Sequence, residues 1–263
     1  MRFSDVLDTL TPAAAAGTFT ATVGDDWLQG RSVFGGLQAA LAVKAIRQIA
    51  PEAPLLRTLQ TTFIAPVPAG TVRVEARVLR VGKSAIHAEA RLFDGEQLAC
   101  LVIAVFGAAR PSAIAIELPT ITATPLESAR RLPYVAGIAP AFMQHMKLSW
   151  AQGAWPYCGG SEARTQVWVA IADEPVITEA VAIALADAIP SPALSTFRKP
   201  TVASSLTWTL EFLGQPLDVP QAPWLMDAEV NAGRDGYLAQ TATLADQHGR
   251  PVALTRQSVV VFG

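Results

Sequence analysis

The chain has 263 residues, of which 51% are apolar and 16% charged, and its formal net charge is −2 at pH 7. This length and apolar fraction allow one large domain or two domains of ordinary size. No block of Lys and Arg occurs in the sequence. Duplex nucleic acid is therefore excluded as an expected partner, because neutralising its phosphates requires clustered basic side chains.

Cysteine and histidine are few and scattered. Cys100 and Cys158 lack metal-ligand spacing, and the three histidines are far apart in sequence, so we expect neither a disulfide framework nor a metal site. The N-terminal stretch "MRFSDVLDTL" has no apolar core after a basic start, and charges interrupt the Ala/Val-rich runs. We expect no signal peptide, no membrane span and no cofactor, and we predict a cytoplasmic protein.

Two predicted helices each precede a set of predicted strands. The first lies within "VFGGLQAALAVKAIRQIAP" (33–51), with Gly35 and Gly36 at its entry and an end before Pro51. The second lies within "ITEAVAIALADAIPSP" (177–192), with Thr178 as N-cap and a stop at Pro190. Both are apolar nearly all round, which predicts buried helices.

Strand patterns follow each helix in the same order. Both halves contain a Phe followed by Pro-containing turn residues, "TFIAPVPAG" (62–70) and "EFLGQPLDVP" (211–220), then two alternating runs. Each half closes on an apolar strand that ends in Phe-Gly, "DGEQLACLVIAVFG" (94–107) and "DQHGRPVALTRQSVVVFG" (246–263). The repeat predicts two antiparallel units, each wrapped around its own helix; a single large α+β domain is the alternative.

The pattern resembles the acyl-CoA thioesterase II (TesB-like) family. The resemblance rests on the order of five stretches: "VFGGLQAALAVKAI", "LLRTLQTTFIAPVPAG", "LADAIPSPAL", "SSLTWTLEF" and "GRPVALTRQ". It implies an α+β double hotdog fold, with units at 1–107 and 139–263 joined by a Pro/Thr-rich connector at 108–138. It also implies hydrolysis of a fatty acyl-CoA thioester and, with exposed sheet edges, self-association as a homo-oligomer.

The family's polar trio maps onto Asp187, Ser205 and Gln257, and each residue also has a plainer interpretation. Asp187 is a general base whose pKa burial would raise, or a solvated helix end. Ser205 stands where the family usually has Thr, and Ser204 remains open as the alternative. Gln257 interrupts an apolar strand, so its amide needs partners unless the position is exposed.

The internal repeat provides a comparison for these positions. Counting from the turn glycines places Ile103 opposite Gln257, and counting from the paired phenylalanines places Leu56 opposite Ser205. The first half is then apolar where the second is polar. This asymmetry predicts that the first half is scaffold and that the second half carries the chemistry.

Substrate-binding candidates are less sharply defined. The backbone N–H groups of Gly35 and Gly36 at a helix entry suit a thioester carbonyl that gains charge, although paired glycines also simply permit close packing. For the CoA phosphates the candidates are Arg31, Arg57, Arg198 and Lys199. The segments "TTFIAP" and "EFLGQP" lack the basic or histidine residues that the family often has there.

Other reaction classes lack their characteristic residues. The chain has no Gly-x-Ser-x-Gly motif, no histidine in a convincing context to activate Cys158, and no paired His and Asp of the kind that hotdog dehydratases use. The prediction is an acyl-CoA thioesterase that uses an activated water. The alternative is a non-hydrolytic acyl-thioester or lipid-binding protein.

Overall fold

The computed structural model describes residues 1–262; Gly263, which closes the Phe-Gly repeat and the predicted second unit, lies outside the described residues. Three α-helices are present in this range: α1 (Phe3–Asp8), α2 (Gly35–Ile49) and α3 (Glu179–Leu185). Four 3-10 turns accompany them: Asp25–Trp27, Leu126–Ser128, Ala141–His145 and Pro192–Thr196. No helix among residues 1–262 is long and apolar enough to cross a bilayer.

Seventeen strands are present in the described part of the chain. The first half contains β1 (Thr11–Pro12), β2 (Thr18–Val23), β3 (Leu28–Gln29), β4 (Ser32–Val33), β5 (Leu56–Phe63), β6 (Gly70–Val81), β7 (Ala85–Asp94) and β8 (Gln97–Gly107). The second half contains β9 (Arg130–Leu132), β10 (Met146–Gln152), β11 (Arg164–Ile171), β12 (Val176–Ile177), β13 (Val202–Phe212), β14 (Val219–Pro220), β15 (Trp224–Arg234), β16 (Tyr237–Ala245) and β17 (Pro251–Phe262).

Thirteen of these strands form one continuous antiparallel sheet. Its order is β1-β2-β6-β7-β8-β5-β13-β17-β16-β15-β11-β10-β9. The halves meet where β5 pairs with β13, with Leu59 opposite Leu210. The expected separate sheet around each helix is therefore corrected to one shared sheet, because β5 and β13 hydrogen-bond to each other and leave no edge between the halves.

Helix α2 forms as the sequence predicts and lies in the core. It begins at Gly35, ends at Ile49 before Pro51, and buries every residue from Gly35 to Val43. It packs against β6, β7 and β8 and against α3. An Ala-rich helix that is apolar over its first nine residues except at Gln38 is stable only when it is covered in this way.

Helix α3 is shorter than expected. Its Thr178 N-cap is confirmed, since the side chain accepts a hydrogen bond from the Val181 amide at 3.3 Å. The helix ends at Leu185, five residues before Pro190, so Asp187 lies beyond the helix end and not in its last turn. Ile189 precedes a proline and is disfavoured in helical conformation, which limits any extension.

The two helices are antiparallel and touch at both ends. At one end Gly36 lies so close to α3 that a Cβ placed on it would come within 2.9 Å of the Ala184 Cα. At the other end Arg47 donates bidentately to the Glu179 carboxylate, with distances of 2.7 and 3.0 Å. The glycine thus brings the N-terminus of α2 against the chain that leaves α3.

We predict that Gly36→Ala lowers the free energy of unfolding by about 1–3 kcal/mol, because the added methyl must displace Phe34 and the α3 backbone. The better helix propensity of Ala offsets only part of this, by at most about 1 kcal/mol. Denaturant unfolding measures the change, with Gln48→Ala on an exposed part of α2 as control. Equal or greater stability of Gly36→Ala would contradict the close packing.

Candidate active site

The strand register places the predicted polar side chains on one face of the sheet. Gln257 on β17 lies opposite Trp208 on β13 and opposite Gln240 on β16. Ser205 lies opposite Val259, two residues further along β17 and on the same face. Ser205 lies 3.5 Å from Gln257 Oε1, whereas Ser204 is exposed.

Asp187 meets this face from the helix side. Gln257 Nε2 donates to Asp187 Oδ1 at 2.7 Å, and the backbone N–H of Gly36 also hydrogen-bonds to the carboxyl. The structure therefore brings together Asp187, Ser205, Gln257 and the entry of α2. These groups come from four separate elements of the chain, and the fold alone makes them neighbours.

Asp187 is half-buried, with its carboxyl held between Gln257 and the entry of α2. Its burial raises its pKa from 3.8 to about 7, and the hydrogen bonds from Gln257 and Gly36 only partly oppose this rise. Within residues 1–262 no charged side chain contributes to the change in pKa. The pKa of a carboxylic acid near neutrality suits proton transfer at physiological pH.

A chain of side-chain hydrogen bonds continues from Gln257 away from Asp187. Gln240 Nε2 donates to Gln257 Oε1 at 2.8 Å, and Ser191 Oγ donates to Gln240 Oε1 at 2.7 Å. Gln240 and Ser191 were missed in the sequence analysis. Gln240 did leave a signal, because it interrupts the inward-facing series Leu238, Ala242 and Leu244 of β16.

The internal comparison holds for Leu56 but not for Ile103. A β-bulge follows Leu56 on β5 and Ser205 on β13, so these two residues correspond. Three residues on, Leu59 pairs with Ala104 as Trp208 pairs with Gln257.

The counterpart of Gln257 is therefore Ala104, and Ile103 points to the opposite face. Counting from the turn glycines slipped by one residue because the second turn is longer: two residues separate Asp94 from Gln97, and three separate Asp246 from Arg250. The register irregularities beyond these turns, at Leu92/Phe93 and at Leu244/Ala245, lie at equivalent positions.

Gly35 has a steric role next to Asp187. A Cβ at Gly35 would lie 2.7 Å from Asp187 Oδ2 and 2.9 Å from the Phe63 ring. Any other residue at this position would displace the carboxyl or the ring. The pair Gly35 and Gly36 thus allows the carboxyl to reach the α2 entry, where the Gly36 N–H meets it.

The basic candidates lie apart from this cluster. Arg57 is the bulged residue of β5, and its Nε donates to the Gly107 carbonyl at 2.9 Å. Arg198 and Lys199 are exposed between the last 3-10 turn and β13. No hydrogen bond or ion pair in the described chain links these three side chains to Asp187, Ser205 or Gln257.

Residues suited to thiol or metal chemistry do not form part of this cluster. Cys100 is buried, which raises the pKa of its thiol to about 12, and Cys158 is exposed. Residues 1–262 contain no group of three or more His, Cys, Asp or Glu side chains placed to hold a metal ion. The geometry therefore centres on a carboxyl, two amides and two hydroxyls.

Two family models match the chain, one in each half. Residues 23–107 match the acyl-CoA thioesterase N-terminal domain, and residues 119–261 match the acyl-CoA thioesterase C-terminal domain. The chain belongs to the acyl-CoA thioesterase family. The C-terminal match alone covers more than half of the chain and contains Asp187, Ser205, Gln240 and Gln257.

Solved structures agree on the fold along the whole chain. A hot dog fold protein of unknown function from Alicyclobacillus acidocaldarius has a TM-score of 0.89 at 22% identity, covering 99% of this chain and 98% of that one. The tesB protein of Mycobacterium avium subsp. paratuberculosis has a TM-score of 0.78 at 15% identity, with 99% and 100% covered. The acyl-CoA thioesterase II TesB2 of Mycobacterium marinum has 0.75 at 14%, with 99% and 98% covered.

These likenesses establish an α+β hotdog fold for this chain. At such low identity they carry no information about its substrate. No curated protein matches the sequence.

We predict that Asp187→Asn becomes more stable relative to wild type as the pH rises from 5 to 8. A carboxyl whose pKa is raised on folding costs stability above its unfolded-state pKa, and the cost is complete once the pH exceeds the folded-state value of about 7. The Asn side chain never ionises, so it avoids this cost, and the relative gain should be roughly 1–3 kcal/mol.

Denaturant unfolding at the two pH values measures this gain, with Asp94→Asn at an exposed hairpin turn as control. A difference between Asp187→Asn and wild type that stays constant with pH would contradict the burial of an ionisable carboxyl.

Proposed function

We propose that this protein is a thioesterase that hydrolyses acyl-CoA by direct attack of a water molecule. The observation that carries the proposal is the Asp187 carboxyl, which is half-buried without a counter-charge, held by Gln257, and has a pKa raised to about 7. Membership of the acyl-CoA thioesterase family supports thioester hydrolysis and an acyl-CoA substrate.

In the proposed reaction Asp187 acts as general base. Its carboxylate takes a proton from a water whose oxygen attacks the thioester carbonyl carbon and forms a tetrahedral oxyanion. The C–S bond then breaks, the CoA thiolate accepts the proton from Asp187, and the carboxylic acid leaves. Ser205 lies beside Gln257 and would hold the same water through its hydroxyl.

The α2 entry is the proposed site for the carbonyl oxygen. Backbone N–H groups at a helix N-terminus stabilise negative charge, and Gly35 and Gly36 bring this terminus next to Asp187. For the CoA phosphates Arg57, Arg198 and Lys199 remain the proposed contacts. Arg198 and Lys199 are exposed, as residues that meet a charged ligand from solvent must be.

We also propose that the chain is a double hotdog, with units at 1–107 and 139–263 joined by the connector 108–138, whose strand β9 pairs with β10 at the edge of the second unit. The strand order supports this division, since each half places its last strand, β8 or β17, beside the strand of the large sheet that follows its helix, β5 or β13, and the halves meet at β5 and β13. The connector is largely exposed. Homo-oligomer formation and a cytoplasmic location remain predictions of the sequence.

A non-hydrolytic acyl-thioester-binding protein is the second candidate. It is favoured by the strand ends after β5 and β13, where Ile64 and Leu213 are exposed in place of basic side chains. Binding of acyl-CoA, measured as thermal stabilisation without release of free CoA, would select this function over hydrolysis.

We predict that the protein releases free thiol from acyl-CoAs in a panel of chain lengths and that Asp187→Asn lowers kcat by about 10²–10⁴-fold, the usual contribution of a general base. Gln257→Ala should lower it less, because the base remains. Product analysis by mass spectrometry avoids a background from the exposed thiol of Cys158.

Ser205→Ala and Ser204→Ala form a matched pair for this assay, since the residues are adjacent but only Ser205 faces Gln257. The first should reduce kcat and the second should leave it unchanged. Full hydrolysis by Asp187→Asn would refute the mechanism.

A further inference from the structure

We infer that Gln240, supported by Ser191, is a positioning residue that fixes the amide of Gln257 with its NH₂ group toward Asp187. The inference rests on the proposed hydrolysis and adds to it two residues that act through Gln257. It is carried by the hydrogen-bond chain Ser191 Oγ to Gln240 Oε1, Gln240 Nε2 to Gln257 Oε1, and Gln257 Nε2 to Asp187 Oδ1, with lengths of 2.7, 2.8 and 2.7 Å.

A glutamine amide has two faces of opposite character. Rotation by half a turn exchanges the oxygen, which only accepts hydrogen bonds, with the nitrogen, which only donates them. An ionised Asp187 also only accepts, so just one orientation of Gln257 stabilises it. Gln240 selects that orientation, because its Nε2 donates to Gln257 Oε1 and leaves Nε2 of Gln257 for Asp187.

Ser191 supports this arrangement one step further out. Its hydroxyl donates to Gln240 Oε1 at 2.7 Å and stabilises the orientation in which the NH₂ group of Gln240 faces Gln257. Its contribution is smaller than that of Gln240, because a hydroxyl can also accept a hydrogen bond. Ser191 stands only four residues after Asp187, just before the 3-10 turn at Pro192–Thr196. The loop that delivers the carboxyl therefore also holds the far end of the chain of amides.

The first half of the protein shows that the fold does not need these amides. There the corresponding strand pair has Ala88 on β7 opposite Ala104 on β8, where the second half has Gln240 opposite Gln257. Both alanines are completely buried. Two alanines are therefore compatible with the strand pairing and the core packing at this position. The two glutamines of the second half serve something other than packing.

The hydrogen bond from Gln257 lowers the pKa of Asp187 against the effect of burial. If Gln240 no longer fixed Gln257, this bond would form only part of the time, and the pKa of Asp187 would rise further. At neutral pH a smaller fraction of the molecules would then carry the ionised base. We therefore expect a lower kcat at pH 7 and a rise of kcat with pH whose midpoint lies at higher pH. KM should change little.

The test uses kinetics from pH 5.5 to 9 on Gln240→Glu, Gln240→Met and Ser191→Ala, with Gln60→Glu as control. Glu is nearly isosteric with Gln but cannot donate when ionised, so Gln257 would turn its Nε2 toward the introduced carboxylate and present its oxygen to Asp187. Gln60 lies exposed on the outer face of β5 and allows the same exchange without contact to the site.

We expect Gln240→Glu to lower kcat at pH 7 more than tenfold, beyond the loss in Gln240→Met. In both variants the midpoint of the rise of kcat with pH should lie at least half a pH unit higher than in wild type. KM should stay within threefold of the wild-type value. Ser191→Ala should give a smaller change in the same direction, and Gln60→Glu none. Thermal unfolding verifies that each variant is folded.

If Gln240 served only packing, Gln240→Glu would keep a higher kcat than Gln240→Met, and the pH midpoint of kcat would stay at the wild-type value. That result would overturn this inference and leave the proposed function standing. Hydrolysis by wild type with unaltered kinetics in all Gln240 variants would do the same. Absence of hydrolysis in wild type would overturn both the proposed function and this inference.

Discussion

The carboxyl of Asp187 is the constraint to which the surrounding structure conforms. An acidic group is placed among protein atoms with no cation beside it, and only hydrogen bonds from Gln257 and Gly36 favour its charged form. To reach this position α3 must end at Leu185, and α2 must begin with a residue that lacks a side chain, since a Cβ on Gly35 would lie 2.7 Å from the carboxyl. Gly36 allows α3 to approach the start of α2, because a Cβ there would lie 2.9 Å from the Ala184 Cα.

At the opposite end of the α2–α3 pair, the acidic side chain has a counter-charge. There Arg47 forms a bidentate ion pair with Glu179, and its guanidinium lies 4.4 Å from the centre of the Phe106 ring. The charge of Arg47 is neutralised, and next to Phe106 the strands carry apolar residues: Leu56 lies opposite Phe106, and Ala104, two residues away, lies opposite Ala88. The two ends of one helix pair therefore differ in purpose: one stabilises the fold, and the other accepts an energetic cost that a structural role would not explain.

The sequence predicted most of the fold, because periodicity and turn residues record it directly. The long strands, α2 and the Thr178 cap follow from alternation, Gly and Pro positions and capping chemistry. The single shared sheet did not, since the pairing of β5 with β13 joins residues about 150 positions apart and depends on no local signal. The early end of α3 was likewise missed, because the pattern remains apolar and Ala-rich beyond Leu185.

The candidate site was predictable only in part. Asp187, Ser205 and Gln257 were found through a resemblance in residue order, whereas Gln240 needed the strand register that sets it opposite Gln257. The pairing of Gln257 with Ile103 failed because side chains alternate between faces, so a slip of one residue selects the wrong face.

Carbon-13 NMR of the aspartate carboxyl groups measures the pKa of Asp187 itself, with the Asp187 signal identified by its loss in Asp187→Asn. We expect a titration midpoint near 7, and a midpoint near the ordinary value of 3.8 would show that the site does not raise the pKa of this carboxyl.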